Sequence, residues 1–382
     1  MNEYLNELIE RLKTDRYFQI FVGVVALILL LLFFALFKPL FTGKKNKQLC
    51  FNEKLQIWLP FEENKIKSYL SPFERFCVNL EIKTKSLEEV KEEVIIALAS
   101  GNYPDIVFID NDFLSKYPDL FSTSTPVFVD SLMAFYNQDI LNFLNLQKPR
   151  TLDDLKKFIN SLRSYRPDFY PVAMGTKDIR HKGEILLSLM SLNQKYKEKE
   201  QIKTNLLSAL KTYLSFSDTQ SEFFSYSQDA GDDLTNFANE KTAVYFGFYK
   251  DKEEILKINP RINLSYGILP LNTFPPKAKI YSKIFYLAKT KRSRSKSASI
   301  FISWFYQYQA KKVAKDFDLA PFLDDPNLPT DKKIVLDSVR NFGETFDFLN
   351  KEILFDKIDS MIDAFRDEFQ LNKIFSEIER LL

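Results

Sequence analysis

The stretch "SLEEVKEEVIIALASGNYPDIVFIDND" (residues 86–112) leaves a chain little conformational freedom. Ser86 and Glu89 have capping-box spacing, Leu87, Val90, Val94 and Leu98 share one helical face, and Gly101 is the residue type that ends a helix. A short polar link then leads into an apolar, strand-forming run that stops on Asp110, Asn111 and Asp112. A helix feeding a buried strand is the building unit of a layered α/β protein. In an open α/β sheet, ligands bind outside the carboxyl ends of the strands, so the polar tail is a candidate site. Asp and Asn are equally ordinary in turns, and the local sequence leaves both readings open.

The alternation continues on either side. "LQIWL" (residues 55–59) reads as a strand, "KIKSYLSPFERFC" as a helix and "VNLEIKT" as a second strand. After "TPVFVDSLMAFYNQDIL" (residues 125–141), Thr151 and Asp154 mark the start of another helix, and a helix-rich region runs to about Asp233. "LTNFANEKTAVYFGFY" (residues 234–249), "INLSYGILPL" and "AKIYSKIFYLA" return to strand character, and the last third is mostly helical. At 382 residues, 45% of them hydrophobic, the chain can bury a core for two domains and one further segment. Its 53 Lys and Arg nearly cancel 51 Asp and Glu, which argues against a nucleic-acid binder. The one basic cluster, "KTKRSRSKS" (residues 289–297), is expected to be a solvated turn between a strand and a helix. Trp304, among Ile300, Phe301, Phe305 and Tyr308, is expected in the core.

The further segment is residues 20–37, eighteen consecutive apolar positions between Arg16 and Lys38, long enough for one membrane crossing. The following "ALFKPLF" offers only bulky cleavage positions, so an uncleaved anchor is expected. Arg11, Lys13 and Arg16 precede the span while Lys38, Lys44, Lys45 and Lys47 follow it; the charge rule therefore slightly opposes an external C-terminal domain, although long domains translocate largely regardless of charge. Cys50 and Cys77 allow one bridge at most, and Cys77, following Phe73 and Phe76 at helical spacing, is expected to pack.

Several chemistries have no support. The nine glycines form no dinucleotide or phosphate-binding loop, and the single histidine, His181, rules out a multi-His zinc site and is expected on the surface. No cofactor or metal is expected. A pair of acids for glycan cleavage remains an open alternative, because that chemistry needs only two carboxylates.

Three segments in order, "ALASGNYPDIVFI", "TPVFVDSLMAFYNQDIL" and "FANEKTAVYFG", with a capped helix after "QKPR" and "APF" at residues 320–322, resemble the extracellular solute-binding protein family 1, the sugar-type receptors of ABC importers that include maltodextrin-binding proteins. Glu240 stands where the family pattern has glycine, and only two tryptophans occur. The resemblance implies an α/β, two-lobe periplasmic-binding-protein-like (type II) fold with hinge crossings, here preceded by one N-terminal transmembrane helix. The implied organisation is a cytoplasmic segment (1–19), an anchor (20–41), a linker (42–54), lobe 1 (55–127 and 277–324) and lobe 2 (128–276 and 325–382). It implies a non-enzymatic receptor for a polar solute, of carbohydrate class, with ABC permease subunits as partners. The implied ligand-binding positions are Trp58, Glu62, Glu63, Asp110, Asp112, Asp130 and Tyr249. On the residues alone, Glu62 and Glu63 read equally as a solvated helix start, and Trp58 equally as core. The second reading is a membrane-tethered structural or interaction protein that keeps the fold without transport.

Overall fold

The apolar alternation of β1 (Glu53–Leu59) buries Leu55, Ile57 and Leu59 in a mixed sheet. β1 pairs in parallel with β2 (Val78–Thr84) and, through Ile57↔Ile106 and Trp58↔Val107, with β3 (Ile106–Asp110). These contacts come from a computed structural model that describes residues 50–163, 165, 168–193, 195–271, 278–365 and 367–381. The expected anchor and most of its flanking segments lie outside the described residues. Among the described residues no helix is long and apolar enough to cross a membrane.

Helix α1 (Glu63–Leu70) follows β1, and α2 (Leu87–Ser100) connects β2 to β3. The capping box of α2 is formed: Glu89 N–H donates to Ser86 Oγ (3.2 Å) and Ser86 N–H to the Glu89 carboxylate (2.6 Å). Gly101 ends the helix at φ 81°, a left-handed conformation glycine adopts without steric cost. The buried stripe Val90, Val94, Ala97 and Leu98 packs on Trp58, Val107 and Ile109.

Strand β4 (Phe121–Asn137) organises the rest. Between Phe121 and Ser131 it runs antiparallel to β8 (Ile280–Thr290), which also pairs with β3. From Leu132 onward it runs antiparallel to β6 (Thr242–Phe248) and to β7 (Leu264–Ile268). β5 (Tyr170–Val172) extends the sheet in parallel with β6, giving the order β2-β1-β3-β8-β4-β6-β5. The strand thus changes partners at Ser131, where its hydroxyl meets those of Ser282 (3.2 Å) and Ser338 (3.0 Å) on α12 (Thr330–Phe342).

Around the β5–β6 half lie α5 (Leu152–Leu162), begun by the expected Thr151 cap on Asp154 N–H (3.0 Å), then α6 (Lys182–Met190) and α7 (Ile202–Leu214). α13 (Lys351–Asp363) packs on α6, with the Phe355 ring where a side chain at Gly183 would stand.

Three sequence expectations need correction or completion. Residues 234–238, read as strand, form helix α8 (Asp233–Ala238), because Asp232 accepts the Thr235 N–H (2.8 Å) and caps it. Cys77 is exposed rather than packed, since it closes a 3₁₀ turn (Ser71–Phe76) in the left-handed region at φ 57°. Neither cysteine is a free thiol, and both are disulfide-bonded. The basic cluster is a turn held by its neighbours, with Arg292 donating to the Leu98 carbonyl and Ser295 to Glu53 (2.8 Å). Trp304 is buried against Phe73 and Phe301, as its spacing implied.

Candidate functional site

The carboxyl ends of β1 and β3 lie at the same sheet edge, because the two strands are parallel neighbours. β3 turns there directly into α3 (Asn111–Lys116). Asp110 is buried and structural in its bonding: Oδ1 accepts the Phe113 N–H (2.9 Å), capping α3, and Oδ2 pairs with Lys91 of α2 (2.6 Å). Asn111, also buried, accepts the Ile284 N–H (3.0 Å) and donates to Asp112 (2.6 Å) and Asp347 (3.4 Å). Asp112 also accepts from the Tyr281 hydroxyl (3.2 Å) and pairs with the Lys351 ammonium. Of the two open readings of this tail, Asp110 follows the capping one, and Asn111 and Asp112 join a wider polar cluster.

On the other half of the sheet, Asp130 sits one residue before the partner change of β4 and is 6% exposed. Its carboxylate accepts N–H groups of Ser131 (2.8 Å), Tyr249 (2.8 Å) and Lys250 (3.4 Å). Burial is the dominant influence, and with the like charge of Asp251 it pushes the carboxyl up to about 6 against these donors. Tyr249 follows β6, its ring buried; its hydroxyl lies 2.7 Å from Asp331 and 3.0 Å from Asp318 and accepts from Lys252 (3.0 Å). Burial and these two acids raise its phenol well above the ordinary tyrosine range.

Beside them, Asp251 at the start of α9 (Asp251–Ile258) accepts from Tyr245 OH (2.9 Å) and Phe248 N–H (2.9 Å) and lies 2.7 Å from His181 Nε2. Burial would raise its carboxyl, but the His181 contact and the other donors hold it below the usual carboxylate range. His181 is 9% exposed, which corrects its expected surface position: its partner lies 70 residues away in sequence.

The remaining expected positions do not join these clusters. Glu62 and Glu63 are exposed at the start of α1, with Glu62 paired to Lys65 (2.7 Å), which matches the solvated-start reading. Trp58 is 3% exposed beneath α2, with the Lys85 ammonium 5.0 Å from its ring, which matches the core reading. An open cavity of about 780 Å³, lined in part by Lys211, Ser217, Gln228 and Phe365, includes none of the seven. Sequence reasoning missed Asn111 as a bridging group, and missed Tyr281 and Lys351 altogether. Among the described residues no group of three or more His, Cys, Asp or Glu side chains could hold a metal ion.

No protein-family model matches the chain, and no curated protein matches it in sequence. Solved structures do. A cyclo/maltodextrin-binding protein complexed with maltotetraose aligns over 86% of this chain and 96% of its own, at 14% identity and a TM-score of 0.68. RafE from Streptococcus pneumoniae, in apo form, aligns over 86% and 97% at 9% identity and a TM-score of 0.67. The extracellular solute-binding protein from Staphylococcus aureus, in complex with maltose, aligns over 86% and 97% at 12% identity and a TM-score of 0.64. At these identities the likeness establishes the α/β mixed-sheet fold that the chain shares with them.

Proposed function

We propose that this chain is a membrane-anchored extracytoplasmic receptor of an ABC importer that binds a polar solute, a sugar or oligosaccharide, between two lobes, without a catalytic step. One observation carries the reading: the fold likeness spans 86% of this chain and nearly all of proteins solved with maltotetraose or maltose bound. Lobe 1 would comprise residues 55–127 and 277–324, and lobe 2 residues 128–276 and 325–382, with β4 crossing from one to the other. Residues 20–41 would hold the receptor beside its permease and raise its effective concentration there. The disulfide-bonded state of both cysteines supports an oxidising, extracytoplasmic setting for the large domain.

The solute would contact acceptors at the β3 and β6 edges. Asp112 and Asp130 would act from opposite lobes, and Glu62 and Glu63 would lie at the rim. Acids suit this role because a carboxylate accepts from paired sugar hydroxyls. Purifying the full chain in detergent and identifying co-purifying small molecules by mass spectrometry, followed by thermal melts across a carbohydrate panel, tests the proposal. A saturable rise in melting temperature with one sugar class is expected; no retained molecule and no shift with any sugar would refute it. One observation favours the second reading, a tethered interaction protein without transport: the acceptors of Asp112 and Asp130 are already engaged within the chain.

A further inference from the structure

We propose that residues 343–351 form an internal latch that closes the crevice in the absence of solute, with the Lys351 ammonium occupying the acceptor site at the end of β3. The inference rests on the two-lobe reading above, because only then does the segment join one lobe to the other.

Within those bounds the segment belongs to lobe 2, is held there through Glu344, and reaches lobe 1 through β8, Asn111 and Asp112. Gly343 and Glu344 add to β8 as a short parallel strand, β10 (Gly343–Glu344), through Gly343↔Ile280 and Glu344↔Tyr281. The Glu344 carboxylate is held by Tyr196 OH (2.8 Å) and Lys197 (2.7 Å), both between α6 and α7. Phe346 then turns through the left-handed region (φ 55°), and its fully buried ring stacks on Tyr281 at 6.0 Å with an interplanar angle of 8°. This places Asp347 and Lys351 against Asn111 and Asp112, more than 230 residues earlier in the chain.

Lys351 is 9% exposed, and a lysine that buried requires partners for its charge. It has them: the ammonium pairs with Asp112, lies 3.6 Å from Asp347, donates to the Thr345 carbonyl (2.5 Å) and sits 5.3 Å from the Tyr281 ring centroid. Asp112 in turn receives Lys351, Tyr281 and Asn111, so its acceptors are occupied by the chain itself. A solute using Asp112 must displace a tethered ammonium, and its apparent affinity falls by the fraction of molecules in which the latch is open. An exposed pair at the rim, Lys116–Glu352 (2.9 Å), spans the same gap but is the weaker kind of contact.

The test uses the full chain in detergent with no added solute. Amide hydrogen exchange is followed by mass spectrometry in wild type, Lys351→Met, Lys351→Arg and Asp112→Asn. The latch predicts that Lys351→Met and Asp112→Asn speed exchange about tenfold or more in peptides covering both 111–116 and 344–352, as expected when a closed unit opens as one. Peptides from β6 and α5 should be unchanged, and Lys351→Arg should retain most of the protection. Acceleration confined to 344–352, or none in either segment, overturns the proposal. If Lys351→Met does not fold, Asp112→Asn decides alone, since it keeps the side-chain shape. A carbohydrate panel on the same variants separates this from the receptor reading: opening without binding in any variant leaves the latch and removes the receptor, whereas binding without opening does the reverse.

Discussion

Replacing Asp130 by Asn removes a carboxylate that the fold prefers uncharged, and the consequence depends on pH. In the folded chain burial lifts this group to about 6, against an ordinary 3.8 when the chain is unfolded, a gap of about 2 pH units. At about 1.36 kcal/mol per unit this is worth about 3 kcal/mol. The folded state holds the proton more tightly, so the contribution is fully present below pH ~3.8, fades as pH rises through ~6 and is absent at neutral pH. Chemical denaturation of both proteins should therefore give a stability difference that moves by about 3 kcal/mol in favour of wild type between pH 7 and pH 3.5. Asp233, lifted to about 7 by burial and the nearby Asp232 charge, titrates alike in both and cancels. Asn keeps an oxygen for the Ser131 and Tyr249 N–H groups but turns an amide toward Lys250 N–H; that loss is independent of pH and shifts the whole curve instead. A flat difference would mean that the three donors offset burial completely, and an opposite slope would mean that they exceed it.

Gly183→Ala should lower stability by about 1 to 3 kcal/mol, the range for overpacking, because its Cβ would fall 2.6 Å from the Phe355 ring; proteolysis should then clip α13 before the central sheet. Gly101→Ala meets no atom within 4 Å, so its expected cost of about 1 to 2 kcal/mol is that of the left-handed backbone, and a denaturation midpoint unchanged from wild type would refute this. His181→Ala should cost about 2 to 3 kcal/mol in thermal or chemical melts, since Asp251 loses a partner while staying buried; a surface-like loss under about 0.5 kcal/mol would show that the contact is incidental. Protease added to intact cells should digest the large domain; survival until the membrane is permeabilised would place that domain inside.

What the sequence makes legible here is what its neighbours within a turn or two decide. Ser86 with Glu89 and Thr151 with Asp154 are three residues apart, and each forms the cap that its spacing implies. The run of β4 from Val127 to Asn137 reads as a buried strand, polar only at Asp130, Ser131 and Asn137, and every residue of it is buried. Residues 234–238 were misread for a related reason: their apolar side chains suit a strand, but the Asp232 cap lies just outside the segment and starts a helix first. His181 illustrates the limit, since nothing near it in sequence announces Asp251.

The β3 edge was legible only by half, and the missing half left a trace. Lys351 is the first residue of α13, where the helix dipole disfavours a cation, and Asn350 before it supplies no side-chain cap. A lysine in that position contradicts the local rules for a helix start, and such conflicts mark places where a distant group has taken control. Here the distant groups are Asp112 and the Tyr281 ring, with Asp347 one helical turn away on the segment's own side. The acid and the lysine are each half of one feature: Asp112 alone reads as a solute acceptor or a turn residue, and Lys351 alone reads as a poorly chosen first residue. Set together they form an ion pair of a buried lysine and a half-exposed acid, and removing the acid leaves the ammonium only Asp347 (3.6 Å) and the Thr345 carbonyl as partners at the β3 edge. Any solute that binds there must therefore bring hydrogen-bond donors good enough to replace an ammonium, a requirement neutral sugars meet only by offering several hydroxyls at once.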